Sequence, residues 1–298
     1  MRLLSGPAML LAGLLFGSPA SAQRALLADS VVALDSPEGA KLFDGASAKV
    51  DYFALSSTYV TQQTQAFCGV ASAVMVLNAM QVLAPTAAAW EPYHSFTQDN
   101  VFNATARAAY PPEAVNRGGM TLDQLVDLFQ SNPARAKAVH ARATNIVEFR
   151  REAVQNLKTA GDYIVINYDR APLGMETSGH FSPLGAYNEA ADKFLIMDVA
   201  RYKYPPYWVD AAQLFTAMSG KDLSSGDTRG YLVVTRSETA PGPIGARARS
   251  PFRMLIGIVA AAFALGGAMG AAVATLLARR RARSLAKVFG DTNAGYTR

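Results

Sequence analysis

Apolar positions along this chain change period near its middle. From Cys68 to Met80 (CGVASAVMVLNAM) they run almost unbroken, with the length and composition of a helix. After the Gly118-Gly119 break, Leu122, Leu125, Val126 and Phe129 recur at helical spacing, which predicts a second helix over 121–130, and residues 145–159 predict a third. The second half reads differently. Tyr163 to Tyr168 (YIVINY), His180 to Tyr187, Phe194 to Ala200 and Tyr231 to Thr235 are short runs rich in β-branched and aromatic residues, separated by Gly, Asn-Glu and Pro-Pro turn signals. Helices followed by an antiparallel sheet make an α+β chain.

The two ends carry longer apolar runs. Residues 1–22 have a positive Arg2, an apolar stretch from Met9 to Phe16 and a small-residue cleavage pattern at Ala20-Ser21-Ala22, which is the form of a secretory signal peptide. Residues 254–278 (MLIGIVAAAFALGGAMGAAVATLLA) hold no charge, are long enough to cross a bilayer, and are followed at once by Arg279, Arg280, Arg281 and Arg283. Between them the expected plan is a folded domain over 23–236, a flexible Pro, Gly and Arg-rich linker over 237–253, a transmembrane helix over 254–278 and a basic cytoplasmic tail over 279–298. This predicts an exported protein on the periplasmic face of the inner membrane, held by a single-pass C-terminal anchor. Gly266 and Gly270 supply a GxxxG spacing that would let two such helices pack as a homodimer.

Charge follows this plan. Six basic residues and one acid lie after the apolar run, and together they equal the whole formal charge of +5, so a nucleic-acid partner has no support. The folded part is acidic once the linker arginines are also set aside, and the basic residues read as topology signals. Cysteine usage is sparser still. A single cysteine, Cys68, excludes an intrachain disulfide and a Cys-rich metal array, and leaves a thiol that is either a small buried hydrophobe or kept for chemistry.

A thiol at a helix N-terminus is favoured as thiolate by the helix dipole and unpaired backbone N–H groups. It needs a base, and the base needs a group that fixes its tautomer. Of the three histidines, His94 lies in a polar, Pro-containing stretch and His140 follows an Ala-rich region, neither with a carboxylate partner suggested by strand pairing. His180 begins one predicted strand and Asp198 lies on the next, across a short turn at 188–192, an interval that fits a hairpin. The alternative readings are a surface or satisfied core histidine and a turn-forming aspartate.

Longer segments carry a family resemblance. Gln62 to Met80 (QQTQAFCGVASAVMVLNAM), Phe96 to Asn100 (FTQDN), Gly179 to Tyr187 (GHFSPLGAY), Met197 to Val209 (MDVARYKYPPYWV) and Arg229-Gly230-Tyr231 resemble, in the same order, the catalytic domain of phytochelatin synthase, a papain-like cysteine transpeptidase. The resemblance implies that Cys68 is the nucleophile, His180 the base, Asp198 its orienter and Gln62 an oxyanion donor acting with the backbone N–H of Cys68. It also implies that Arg229, Asp222 and Asn167 receive the γ-glutamyl end of glutathione, with Gly179 and Arg201 in the same substrate-binding set.

The implied reaction is attack on the Cys–Gly bond of glutathione, release of glycine, and transfer of the γ-glutamylcysteinyl group to a second glutathione, giving phytochelatin, or to water. No tightly bound cofactor and no protein metal ligands are expected; Cd²⁺ or Zn²⁺ would arrive as a glutathione thiolate. Eukaryotic members add a Cys-rich C-terminal region, whereas here a linker and membrane helix are read, which favours hydrolysis and weak metal activation. The rival readings are a papain-like peptidase acting on other exported peptides and a membrane-tethered binding module with an inert cysteine.

Overall fold

The structure, a computed structural model, describes residues 25–176 and 179–237. The chain divides into two units, Met1–Ala240 and Pro241–Arg298, of which the second lies outside the described residues. The described residues of the first begin with β1 (Val31–Ala33), α1 (Pro37–Asp44), α2 (Val50–Ser57) and α3 (Cys68–Ala79). Then come α4 (Ala104–Ala109), α5 (Pro112–Gly118), α6 (Leu122–Gln130), β2 (Ala134–His140) and α7 (Ile146–Leu157). The rest is β3 (Asp162–Asp169), β4 (Gly179–Asn188), β5 (Lys193–Ile196), β6 (Tyr207–Asp210), α8 (Ala211–Ser219) and β7 (Gly230–Arg236).

Two of the three predicted helices start at a side-chain cap. Thr121 and Gln124 form a reciprocal capping box at the head of α6, and the Asn145 side chain accepts from the backbone N–H groups of Val147 and Glu148 at the head of α7. Helix α3 is apolar on all sides, and Cys68 through Leu77 are all buried, which makes it the central helix of its layer.

The strands join one antiparallel sheet in the order β1-β6-β5-β4-β3-β7-β2. Both faces are covered. On one, Val70 and Leu77 of α3 and Leu125 and Phe129 of α6 pack with Val165, Phe181, Leu195 and Leu232. On the other, Phe149 and Leu157 of α7 and Leu214 and Met218 of α8 pack with Ile164, Ile166, Phe194 and Val209. Successive residues of β3 therefore enter opposite cores, which is why YIVINY shows no polar alternation.

The fold is α+β, with two departures from the sequence expectation. The first half is not helical throughout, because β1 and β2 lie in it and form the two edges of the sheet. In addition, the run expected as a strand over 194–200 stops at Ile196. A bulge between Leu184 and Ala186 shifts the β4–β5 register, and the last backbone tie beyond the ladder is Met197 N–H to the Pro183 carbonyl, 2.9 Å. Asp198 accordingly sits past the strand end rather than on it.

The expected location on the periplasmic face of a membrane is corrected. Among the described residues no helix is long and apolar enough to cross a membrane. The longest of them, α3 and α7, have 12 residues each. At about 1.5 Å per residue such a helix covers roughly 18 Å, against roughly 30 Å of bilayer hydrocarbon. The signal, transmembrane helix, GxxxG pair and basic tail read from the sequence all lie outside the described residues, as does the linker apart from Ser237.

Candidate active site

Cys68 is the first residue of α3, and its burial follows from the apolar helix behind it. It is 7% exposed and lines a cavity of about 260 Å³. The N–H groups of the first helical turn have no partner within the helix, so the thiol sits where a developing negative charge is favoured. Burial alone would push the thiol up. The hydrogen bond and charge of His180, the backbone of Phe181 and the charge of Arg170 outweigh it, and Cys68 lies below the ordinary thiol value.

His180, the second residue of β4, is 2% exposed. Its Nε2 is 2.9 Å from Asp198 Oδ1, which leaves Nδ1 as the nitrogen for Cys68. Burial would lower the imidazole, and Arg170 acts in the same direction; the Asp198 charge and the hydrogen bonds to Asp198 and Cys68 prevail and hold it above the ordinary histidine value. The ring also stands edge-on to Tyr168, 5.8 Å between centroids.

Asp198 is fully buried, and its environment explains how a carboxylate survives there. Oδ1 accepts from His180 and from the Ala200 N–H at 2.8 Å, while Oδ2 accepts from Arg170 Nη2 at 2.5 Å and faces Tyr168 Oη at 3.5 Å. Desolvation would raise its pKa, but the charges and hydrogen bonds of His180 and Arg170 hold it well below the usual carboxylate range. Tyr59 Oη donates to the Asp198 carbonyl, and Tyr168 and Tyr207 share a hydrogen bond of 2.6 Å behind the carboxylate.

Asn167, Gly179, Asp222 and Arg229 line the same cavity as Cys68, together with Gln65, Phe181 and Ser224. Arg229 Nη1 donates to Asn167 Oδ1 at 3.1 Å, and its Nη2 lies 4.0 Å from Asp222 Oδ1. Asp222 is fixed by a tight turn in which the Ser224 N–H donates to its Oδ1 and the Gly226 N–H to its carbonyl. A guanidinium and a carboxylate thus face a small cavity side by side, a pairing complementary to the carboxylate and ammonium of an amino-acid end.

Two expected site residues lie elsewhere. Gln62 is buried beside the site but does not line the cavity; its Nε2 donates to the Thr64 carbonyl at 2.8 Å and reaches Tyr202 Oη at 3.4 Å. Arg201 lies over the Tyr59 ring, 4.4 Å from its centroid, in a second cavity of about 350 Å³ lined also by Thr61, Tyr202, Tyr204, Pro205 and Pro206.

Sequence reasoning gave no role to Arg170 or Gln98. Arg170 is 3% exposed and closes the far side of Asp198. Gln98 accepts from the Gln63 N–H and donates to the Thr61 carbonyl, both at 2.9 Å, so one side chain grips the backbone on either side of Gln62. Its place in FTQDN was a signal, but without a chemical reading. Among the described residues no group of three or more His, Cys, Asp or Glu is placed to hold a metal ion.

A family model described as phytochelatin synthase matches residues 22–231. The chain is 34% identical over 229 residues to glutathione gamma-glutamylcysteinyltransferase 2 of Arabidopsis thaliana, which is 76% of this chain and 49% of that protein. It is 31% identical over 222 residues to glutathione gamma-glutamylcysteinyltransferase 3 of Lotus japonicus, covering 74% and 45%. With the glutathione gamma-glutamylcysteinyltransferase of Schizosaccharomyces pombe, identity is 31% over 186 residues, covering 62% and 43%. The chain therefore spans less than half the length of these relatives.

Proposed function

Because this chain belongs to the phytochelatin synthase family, we propose that it is a glutathione γ-glutamylcysteinyltransferase with Cys68 as its nucleophile, on a papain-like fold. The observation that carries this reading is the shared cavity: Cys68 opens onto the space that Arg229, Asp222 and Asn167 line. The guanidinium would take the α-carboxylate of the γ-glutamyl group, and Asp222 its ammonium. That leaves the Cys–Gly carbonyl for the thiol.

In the first half-reaction Cys68 Sγ bonds to the carbonyl carbon, and the Cys–Gly amide bond breaks as His180 gives its proton to the departing glycine amine. The product is a γ-glutamylcysteinyl thioester and a neutral imidazole. In the second, His180 takes a proton from the amine of a second glutathione, or from water, as that nucleophile attacks the thioester and the thiolate leaves. Asp198 keeps Nδ1 of His180 toward the sulfur throughout. Gln62 is assigned the oxyanion with the Cys68 backbone N–H, which requires one of its amide hydrogens to turn from Thr64 or Tyr202 to the substrate. Arg201 is assigned to the acceptor, in the cavity beside Tyr202. Cd²⁺ or Zn²⁺, in this reading, enters as substrate, bound to glutathione sulfur.

The test is mass spectrometry of the products formed from glutathione with and without Cd²⁺. Glycine together with phytochelatin or γ-glutamylcysteine is the expected outcome, lost in Cys68→Ser. Absence of glycine release alongside cleavage of unrelated peptides would replace this reading with a general peptidase.

A further inference from the structure

Asp198 uses its two oxygens on two different cations. Oδ1 holds His180, which must gain and lose a proton in each turnover, and Oδ2 holds Arg170, which never does. We propose that Arg170 is a positioning residue that sets the pH window of the Cys68–His180 pair by sharing Asp198 with the imidazole. The proposal rests on the reading of Cys68 and His180 as the reacting groups.

The geometry makes the sharing strong. Arg170 is 3% exposed and Asp198 is fully buried, so water does little to screen them, and the guanidinium is backed by the Tyr204 ring, 5.1 Å from its centroid. With Cys68 as thiolate and His180 as imidazolium, four buried charges sum to zero. Removal of Arg170 would leave a net negative charge in a region of low dielectric, which is costly. It would also leave Asp198 wholly to His180, and an imidazolium held that tightly is a poor acid for the departing glycine amine. The charge of Arg170 lowers both His180 and Cys68, so its loss moves both upward.

Other titratable groups near the site do not duplicate this role. Tyr168 on β3, Tyr207 on β6 and Tyr202 in the segment after Asp198 are all raised, by burial foremost, and stay neutral across the working range. Lys203 is paired with Glu176 and is itself lowered by burial and by Arg170.

The experiment measures, in the full chain, the pH dependence of Cys68 alkylation by iodoacetamide and of glycine release from glutathione, for wild type, Arg170→Met and Arg170→Lys. In Arg170→Met both limbs of each profile are expected to move up by about one pH unit, the size of shift a neighbouring charge causes. The alkylation rate on the acid side would then fall about tenfold, while Arg170→Lys, which keeps the charge, holds the wild-type midpoints at a lower plateau. A lowered plateau with unmoved midpoints in Arg170→Met would overturn the proposal. Should that variant not fold, Arg170→Lys decides, since displaced midpoints with the charge retained would also overturn it. A wild-type thiol that ionises like a free cysteine would instead remove Cys68 as the nucleophile, and the Arg170 proposal with it.

Discussion

The guanidinium of Arg229 lies directly over Gly179: a Cβ built on Gly179 would be 2.4 Å from Nη1 and 2.7 Å from Cζ. This strand end has room for the guanidinium because residue 179 has no side chain. The clash falls on the far end of a flexible side chain, so the strand survives substitution and Arg229 moves instead.

Gly179→Ala should therefore weaken substrate binding and leave the fold intact. Displacing Arg229 removes a charge-assisted contact to a carboxylate, worth about 1.5–3 kcal/mol. KM for glutathione is expected to rise at least about tenfold, with kcat changed far less. Steady-state kinetics of glycine release check this, and a fall in kcat at constant KM would contradict it.

Gln98 fixes the Gln62 segment through two backbone hydrogen bonds, to the Thr61 carbonyl and from the Gln63 N–H. Gln98→Ala leaves both groups to find other partners and loosens Gln62 without touching the Cys68 cavity. The expected result is a loss in kcat of about 10- to 100-fold, below the roughly 10²–10³ of removing an oxyanion donor outright. KM should stay within about twofold. Gln62→Ala combined with Gln98→Ala should be no worse than Gln62→Ala alone; additive losses would detach Gln98 from Gln62.

Asn145 offers a contrast, since its side chain caps α7 on the side of the sheet packed by Phe149 and Leu157. Asn145→Ala should cost about 1 kcal/mol of stability, as lost caps do, with kcat and KM unchanged. Urea denaturation and steady-state kinetics on the same preparation test both halves of that expectation.

These sites differ in how far sequence exposed them. Helix α3 and the β4–β5 hairpin were legible because unbroken apolar runs and short turn signals are local, and with them came Cys68 and His180. Strand β2 was not: ARAKAVH sets alanine against Arg and Lys, a pattern of low β propensity, and the segment becomes a strand through a seven-residue ladder with β7. Arg170 reads as part of a turn in Asp-Arg-Ala-Pro, and nothing local marks an arginine that will be buried against an aspartate 28 positions away. Gln98 bonds only backbone atoms, and those contacts leave no residue pattern at their partners. The end segments were strongly patterned and gave a topology, yet the membrane location drawn from them is the reading that did not stand.

Asp51, near the start of α2, carries the last prediction. It is 1% exposed, and neither carboxylate oxygen has a hydrogen-bond partner among the described residues. Burial, with the charge of Asp162 added, pushes its pKa up to about 8. In the unfolded chain the value is about 3.9. Below about pH 4 both states hold the proton and Asp51 makes no difference to the pH dependence. As pH rises from there toward 8, the unfolded state ionises freely while the folded state must keep its proton, so stability falls by up to about 1.4 kcal/mol per pH unit, and levels off once the folded state also ionises. Asp51→Asn removes that titration. Its stability relative to wild type should rise steadily between pH 5 and pH 8 in urea denaturation, and an offset that is the same at both ends would mean that Asp51 is ionised in the folded protein throughout.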